Sequence, residues 1–167
     1  MSGEQPTSPT PRLTTERFDS DVVQSLVAAL LDDLRARYGA EDPDAPHADE
    51  LAPPRGTFLV AWLADNAVGC GGVRAHADDG VGEIKRMYTV PAARRQGIAA
   101  AVLDELEQRA RGIGYRRLVL ETGVRQPEAI ALYESFGYVA VPPYGQYADH
   151  PTSRCFAKDL GESLADG

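Results

Sequence analysis

The chain has 167 residues, a formal net charge of −8, and 43% apolar and 25% charged residues, which is typical of one globular domain. The acidic charge argues against nucleic acid as a partner, because phosphate backbones bind basic surfaces. No apolar run approaches the roughly 20 residues that span a bilayer, and the N-terminus has neither the basic start nor the apolar segment of a secretion signal. We therefore expect a cytoplasmic protein without a membrane partner.

The first half of the chain predicts a helix between strands. Residues 1–11, rich in Pro, Ser and Thr, are expected to form a disordered tail. An apolar stripe of helical period lies over 20–38 and ends at Gly39. Residues 40–56 are acidic and Pro-rich, which predicts a loop or a short irregular helix. The predicted strands cover 12–18, 57–64, 67–77 and 81–90, with turns at Asp65-Asn66 and Asp78-Asp79-Gly80.

The second half alternates helices and strands. Helices are predicted over 97–112, ending at Gly112 or Gly114, and over 126–136, ending at Gly137; strands are predicted over 115–122, 138–141 and 153–160. Residues 161–167 are expected to be a C-terminal tail. The order β-α-β-β-β-α-β-α-β-β predicts a single α/β (α+β) domain over 12–160, with helices packed on a mixed sheet.

The cysteines and histidines give no sign of a metal site. Cys70 and Cys155 lie in apolar, strand-like segments, which favours buried thiols in a reducing compartment over a disulfide. The three histidines are isolated and lack the spacing of metal ligands. We expect no metal.

A basic loop joins the strand over 81–90 to the helix that follows. It reads Arg94-Arg95-Gln96-Gly97-Ile98-Ala99, and Gly97 would let the backbone approach a ligand closely. The first amides of a helix have no partner within the helix and lie at its positive dipole end, so an anion such as phosphate is expected there. The alternative is that the arginines are simply solvated. Neither a Walker-type loop nor a GxGxxG turn is present.

Two motifs and the order of elements resemble the GNAT superfamily of acetyl-CoA-dependent N-acetyltransferases. The family loop Q/R-x-x-G-x-G/A matches Arg94, Gly97 and Ala99. A second family signature, A-x-x-L-Y-x-x-x-G-F/Y, matches Ala129, Leu132, Tyr133, Gly137 and Tyr138. The resemblance covers about residues 12–160 and implies a mostly antiparallel sheet of six to seven strands.

The resemblance also implies how acetyl-CoA is bound as co-substrate. The chain at Met87, Tyr88 and Thr89 would hold the pantetheine arm like an added strand, in a splay between the strands over 81–90 and 115–122. Pro91 cannot donate to a sheet ladder and gives a physical reason for that splay. Where many relatives have Asn seven residues before the motif tyrosine, this chain has Gln126, so that contact is left open. The pyrophosphate would lie beside Arg94, on the amides of Arg95, Gln96, Gly97, Ile98, Ala99 and Ala100.

Four residues are candidates for the chemistry. A protonated amine must lose a proton before it attacks a thioester, which calls for a base. Glu83 precedes Arg94 by eleven residues, the spacing of the base in histone-type GNAT enzymes, and Glu121 resembles the base of the ribosomal-protein acetyltransferases. The alternative for both is pairing with neighbouring Lys or Arg side chains. By resemblance Tyr133 is the general acid, although its helical spacing also fits a core residue, and the Thr89 amide is expected to stabilise the oxyanion.

The predicted function is acetyl transfer from acetyl-CoA to a primary amine by direct attack in a ternary complex. The acidic charge favours a small cationic acceptor. The alternatives are a protein lysine or N-terminal amine as acceptor, and a non-catalytic acyl-CoA-binding module. A homodimer is left open.

Overall fold

The computed structural model describes residues 10–39 and 44–161, apart from the side chain of Gln146. The predicted tails lie outside this range, except for residues 10, 11 and 161, as do residues 40–43 of the predicted loop. The strands are β1 (Arg12–Thr15), β2 (Thr57–Leu63), β3 (Asn66–Ala75), β4 (Val81–Thr89), β5 (Arg117–Gly123), β6 (Val139–Val141) and β7 (Ser153–Asp159). The helices are α1 (Asp21–Tyr38), α2 (Ile98–Ile113) and α3 (Pro127–Ser135), with short 3₁₀ helices at Ala48–Leu51, Pro91–Ala93 and Gly145–Tyr147.

One seven-stranded sheet organises the described chain, in the order β1-β2-β3-β4-β5-β7-β6. Every neighbouring pair is antiparallel except β4 and β5, which are parallel. This confirms the predicted mixed, mostly antiparallel sheet. Helix α1 packs on one face of the sheet, and α2 and α3 pack on the other.

Strand β2 shows why the sheet has two apolar faces. Leu59 and Ala61 belong to the core under α2, whereas Phe58 and Val60 belong to the core under α1. All four are fully buried, as expected for a strand whose alternate side chains face opposite helical layers.

Most element boundaries differ from the predictions by one or two residues, and two of the differences have a clear structural reason. Leu63 pairs with Asn66, so the hairpin loop is Ala64-Asp65 rather than Asp65-Asn66, and Ala64 takes a positive φ of 51°. Strand β1 ends at Thr15 because a hydrogen-bonded turn from Arg17 to Ser20 leads into α1. Gly39, Gly114 and Gly137 do end the three helices.

The predicted splay between β4 and β5 is present, but its origin differs from the expectation. The parallel pairing stops at Glu83↔Val119, several residues before Pro91. Just beyond this point β4 carries one extra residue relative to β3, and Arg86 has a φ of 59°. Such a bulge bends and twists a strand, so we attribute the divergence of β4 to the bulge. Pro91 instead begins the 3₁₀ helix Pro91–Ala93.

Cys70 and Cys155 are both buried and unbridged, as predicted. Among the described helices, none combines the length and apolarity needed to cross a membrane.

Candidate active site

A cleft of about 820 Å³ opens at the splay. It is lined by the end of β4, the start of α2, the end of β5, helix α3, the C-terminal half of α1 and the segment before β7. Its walls include nearly all the predicted cofactor residues, namely Met87, Tyr88, Thr89, Arg94, Arg95, Gly97, Ile98, Ala99, Ala100 and Gln126. Gln96 is not among them, and its side-chain amide donates to the Ala92 carbonyl at 3.4 Å.

The loop before α2 has the backbone geometry of an anion site. Arg95 and Gly97 both lie in the left-handed region, with φ of 66° and 79°. Left-handed residues in such a turn direct successive N–H groups to one side, and the first amides of α2 extend that row. Apart from its two neighbours in the chain, no described residue has an atom within 4 Å of a Cβ placed on Gly97, so the positive φ, rather than crowding, is what requires glycine there.

Arg94 fastens this loop to neighbouring elements. Its Nε donates to the Thr89 carbonyl at 3.0 Å, and its guanidinium lies 5.9 Å from the ring centre of Tyr88. An ion pair of 3.8 Å joins it to Asp33 of α1. Arg94 therefore positions the loop against β4 as well as adding positive charge to the cleft.

The Thr89 amide points toward the cleft. The Val90 amide donates to the Val68 carbonyl of β3 at 2.9 Å, and Thr89 lies opposite Gly69. Because successive amides of a strand point to opposite sides, the Thr89 N–H is directed away from β3, where the splay has removed a partner strand. This is the orientation that an oxyanion donor requires.

Gln126 is held by the end of α1. Its Oε1 accepts hydrogen bonds from the Tyr38 hydroxyl at 3.1 Å and from the Gly123 amide at 3.3 Å. Arg37 of α1 also donates a hydrogen bond of 2.9 Å to the Glu128 carboxylate of α3, which reinforces the contact between these two helices. The Gln126 side chain therefore fixes the loop between β5 and α3, and its NH₂ group is the part that remains to meet a ligand.

Tyr133 belongs to both the core and the cleft. It is 5% exposed, packs against the Tyr138 ring and lines the cleft. Burial, with a contribution from the negative charge of Glu121, raises its pKa above the usual value for tyrosine. The hydroxyl thus stays protonated at neutral pH and available as a donor, and no partner for it occurs among the described side chains.

The two candidate bases lie in different environments. Glu121 lines the cleft, two residues beyond the last β4–β5 pair. Glu83 belongs to that last pair, is 3% exposed and does not line the cleft. Its Oε1 accepts from Arg74 at 2.9 Å and its Oε2 accepts from the Tyr144 hydroxyl at 2.9 Å. Both oxygens of the Glu83 carboxylate therefore have hydrogen-bond partners. Its basic partner is Arg74 of β3, and not one of the neighbouring Lys or Arg side chains considered in the sequence analysis.

Glu83 instead lines a second pocket of about 640 Å³, together with Arg55, Arg74, His76 and Tyr144. Tyr147 borders both cavities, and its hydroxyl accepts a hydrogen bond of 3.0 Å from Lys85. No group of three or more potential metal ligands occurs among the described residues.

Lys85 and Arg86 belong to a basic segment, residues 85–95, whose charge within an acidic chain predicts a small anionic ligand, and both line the cleft, as Glu121 does. The sequence did not single out Asp33, Arg37 and Tyr38, which α1 contributes to the cleft. We call the part lined by Lys85, Arg86, Glu121 and Tyr147 the interstrand gap. Adjacent side chains of a regular strand point to opposite faces, so the sequence would place Lys85 and Arg86 apart. The bulge in β4 brings both to one face.

Comparison with known proteins agrees with this geometry. Residues 24–138 match the model of the acetyltransferase (GNAT) family. The chain is 38% identical over 140 residues to the IAA acetyltransferase of Azospirillum brasilense, which covers 84% of this chain and 92% of that protein. It is 34% identical over 149 residues to the uncharacterized N-acetyltransferase YsnE of Bacillus subtilis, covering 86% and 98%.

A solved structure has the same fold. It is the crystal structure of a protein assigned as an acyl-CoA N-acyltransferase from Klebsiella pneumoniae, with a TM-score of 0.78 and 30% identity over 91% of this chain and 99% of that one. The loop, the splay and the signature around Tyr133 thus occur in a chain that matches these three proteins over 92%, 98% and 99% of their length. The protein belongs to the GNAT family and is an acetyl-CoA-dependent N-acetyltransferase.

Proposed function

We propose that the enzyme transfers the acetyl group of acetyl-CoA to a small primary amine by direct attack, with Glu121 as the base and Tyr133 as the acid. The observation that carries this proposal is the cleft itself, which joins the amide row before α2, the outward Thr89 N–H, Glu121 and Tyr133. A cytoplasmic location remains a prediction, and a homodimer remains open.

The residues of the cleft fit acetyl-CoA. The amides from Arg95 to Ala100 would hold the pyrophosphate, since consecutive N–H groups at a helix N-terminus favour anions. The open side of β4 from Met87 to Thr89 would hold the pantetheine arm through backbone hydrogen bonds. Acetyl-CoA supplies the acetyl group as a thioester.

Glu121 accepts the proton of the incoming ammonium group. An alkylamine has a pKa near that of lysine, about 10.4, so the neutral nucleophile is scarce at pH 7 unless a base removes the proton. The nitrogen then forms a C–N bond with the thioester carbon, which gives a tetrahedral intermediate whose oxyanion the Thr89 N–H would stabilise. The C–S bond breaks when this intermediate collapses. The sulfur leaves with the electron pair of the C–S bond and takes a proton from Tyr133. The second proton lost by the nitrogen restores the Tyr133 hydroxyl, and Glu121 releases the first proton to solvent, so one ammonium and one thioester give one amide, one thiol and one proton.

The environments of the two cysteines favour direct attack over a covalent intermediate on the enzyme. Burial raises the pKa of Cys70 to about 12, so it is not a thiolate at neutral pH, and it does not line the cleft. Burial also raises the pKa of Cys155, which lies outside the cleft lining as well. Neither thiol is placed to accept the acetyl group.

The test compares two acetyl donors. Affinity measured by calorimetry should be at least about tenfold higher for acetyl-CoA than for S-acetylpantetheine, which lacks the diphosphate, because the amide row binds phosphate oxygens. Release of free thiol, followed with a chromogenic disulfide, should depend on an added primary amine. Equal affinity for the two donors would refute the loop assignment, and amine-independent thiol release would refute the transfer.

A further inference from the structure

We propose that the acceptor amine also carries a carboxylate, and that Lys85 and Arg86 bind this carboxylate in the interstrand gap. The inference rests on the proposed function and names the substrate class of the same site. It replaces the preference for a cationic acceptor, which came from the net charge of the whole chain.

The bulge in β4 directs two adjacent cations to the same place. Successive side chains of a regular strand point to opposite faces, yet Lys85 Nζ lies 2.7 Å from Asp44 Oδ2 and Arg86 donates to the Asp44 carbonyl at 2.7 Å. Both side chains therefore reach the same residue. Both also line the cleft, as Glu121 does.

These cations are buried, which strengthens their interaction with an anion. Lys85 is 6% exposed and Arg86 is 9% exposed. A charge removed from water requires a counter-charge, and the Coulomb attraction between ions is larger where water is excluded. Asp44 provides one such counter-charge for Lys85, and a ligand carboxylate at the cleft wall would give the pair a second anionic contact.

The Asp44 carboxylate already serves another cation. Its Oδ2 lies 2.7 Å from Arg74 as well as 2.7 Å from Lys85. The Lys85 ammonium has three donors, of which Asp44 and the Tyr147 hydroxyl at 3.0 Å account for two among the described residues. Its remaining donor is the one available to a ligand carboxylate in the cleft.

Glu121 lies where the amine of such an acceptor must be. Glu83 pairs with Val119, and Lys85 and Glu121 each follow two residues later, so they occupy the same face on opposite sides of the splay. A compact amino acid carries its ammonium and carboxylate groups on one carbon. Such a zwitterion would place its ammonium toward Glu121 and its carboxylate toward Lys85 and Arg86.

The first test uses the unmodified enzyme and matched acceptors. Each common amino acid is compared with its primary amide and with the amine obtained by removing the carboxyl group, and kcat/KM is measured from thiol release. For at least one amino acid we expect kcat/KM to exceed that of both analogues at least about tenfold. The amide is a stringent control, because its amine is less basic and a larger fraction is neutral at pH 7.

The second test locates the carboxylate. Lys85→Gln should raise KM for the preferred amino acid at least about tenfold, leave its KM for the matching amide unchanged, and leave the Kd for acetyl-CoA unchanged. The control is Arg117→Gln, which removes an equal charge from a partly exposed residue of β5 paired with Asp159, outside the cleft. This control should change neither KM.

The outcomes separate the two proposals. Turnover of amides or decarboxylated amines as fast as the amino acids would overturn the carboxylate inference and leave amine acetylation standing. An equal rise in KM for acid and amide in Lys85→Gln would also overturn it. Binding of acetyl-CoA without turnover of any amine would refute the proposed function itself. The comparison of acceptors needs no variant, so poor folding of Lys85→Gln cannot obscure it.

Discussion

The Tyr144 hydroxyl donates a hydrogen bond of 2.9 Å to Glu83 Oε2, which joins the loop before β7 to the last residue of β4 that pairs with β5. Arg74 occupies the other oxygen of the same carboxylate. Burial, followed by the charge of Glu83, raises the pKa of Tyr144, so the phenol stays neutral and remains a donor at physiological pH. Glu83 is thus an anchor for the loop that carries Tyr147 into the cleft.

This relationship predicts different effects for the two glutamates. Glu121→Gln should lower kcat about 100-fold, because it removes the base. The residual rate should rise with pH as the neutral fraction of the acceptor increases. Glu83→Gln should instead lower the free energy of unfolding by about 2 kcal/mol, because the hydrogen bonds to a buried charge are weakened. Steady-state kinetics from pH 6 to about pH 9.5 and urea unfolding would measure both effects.

The reverse pattern would identify Glu83 as the base. In that case Glu83→Gln would abolish the acidic limb of the pH profile while Glu121→Gln kept it. Tyr144→Phe serves as the control for the anchoring role, since it removes only the hydroxyl that Glu83 accepts. It should reproduce part of the loss of stability and leave the pH dependence of kcat unchanged.

Tyr133→Phe should lower kcat about 100-fold while the Kd for acetyl-CoA changes less than about twofold. The phenol has no hydrogen-bond partner among the described residues, so its removal leaves no protein group unpaired. Because the pKa of Tyr133 is raised by burial and by Glu121, the wild-type kcat profile should show no decline from this group below about pH 10. A wild-type rate in the variant would exclude its role as acid.

Gly97→Ala should weaken acetyl-CoA binding about tenfold and lower the free energy of unfolding by about 1 kcal/mol, because an alanine at a φ of 79° is strained. Gly112→Ala is the matched control. Gly112 is exposed within α2, and a Cβ added there would have no neighbouring atom within 4 Å. Alanine there should raise stability by roughly 0.5 to 1 kcal/mol without changing affinity. Calorimetry and thermal unfolding of both variants test the contrast.

Tyr138→Phe should lower the free energy of unfolding at pH 8 and should make this free energy decline less as the pH rises further. The Tyr138 hydroxyl donates to buried Glu107 at 2.9 Å, and Lys158 contacts the other oxygen at 2.7 Å. Burial and Glu107 raise the pKa of Tyr138 above its unfolded value of about 10. A raised folded pKa gives stability that is complete below the unfolded pKa and is lost as pH rises.

Urea unfolding of the wild type and the variant from pH 8 to about pH 10.5 measures this. The variant should lose about 1.5 kcal/mol at pH 8 and show a shallower decline at higher pH. Parallel curves would contradict the assignment. Activity at pH 8 should not change, because Tyr138 lies outside the cleft lining.

The order of elements, the mixed sheet and the loop before α2 could all be predicted from the sequence. These features depend on local patterns: the apolar period of α2, the alternation of the strands and the glycines that end the helices. The two family motifs, through the resemblance that they carry, implied nearly all the residues that line the cofactor side of the cleft. They could not determine that Gln96 turns toward Ala92, because a side-chain rotamer depends on its surroundings.

The acceptor side of the cleft, in contrast, depends on contacts that no local pattern contains. The bulge at Arg86 changes the alternation of β4, and it arises from pairing with β3. That change brings Lys85 and Arg86 to one face beside Asp44, while the ion pair with Arg74 holds Glu83 away from the cleft. The sequence shows that the two basic residues are adjacent, but neither it nor the net charge of −8 could reveal that both side chains lie on one face, because that arrangement depends on contacts between residues far apart in the chain.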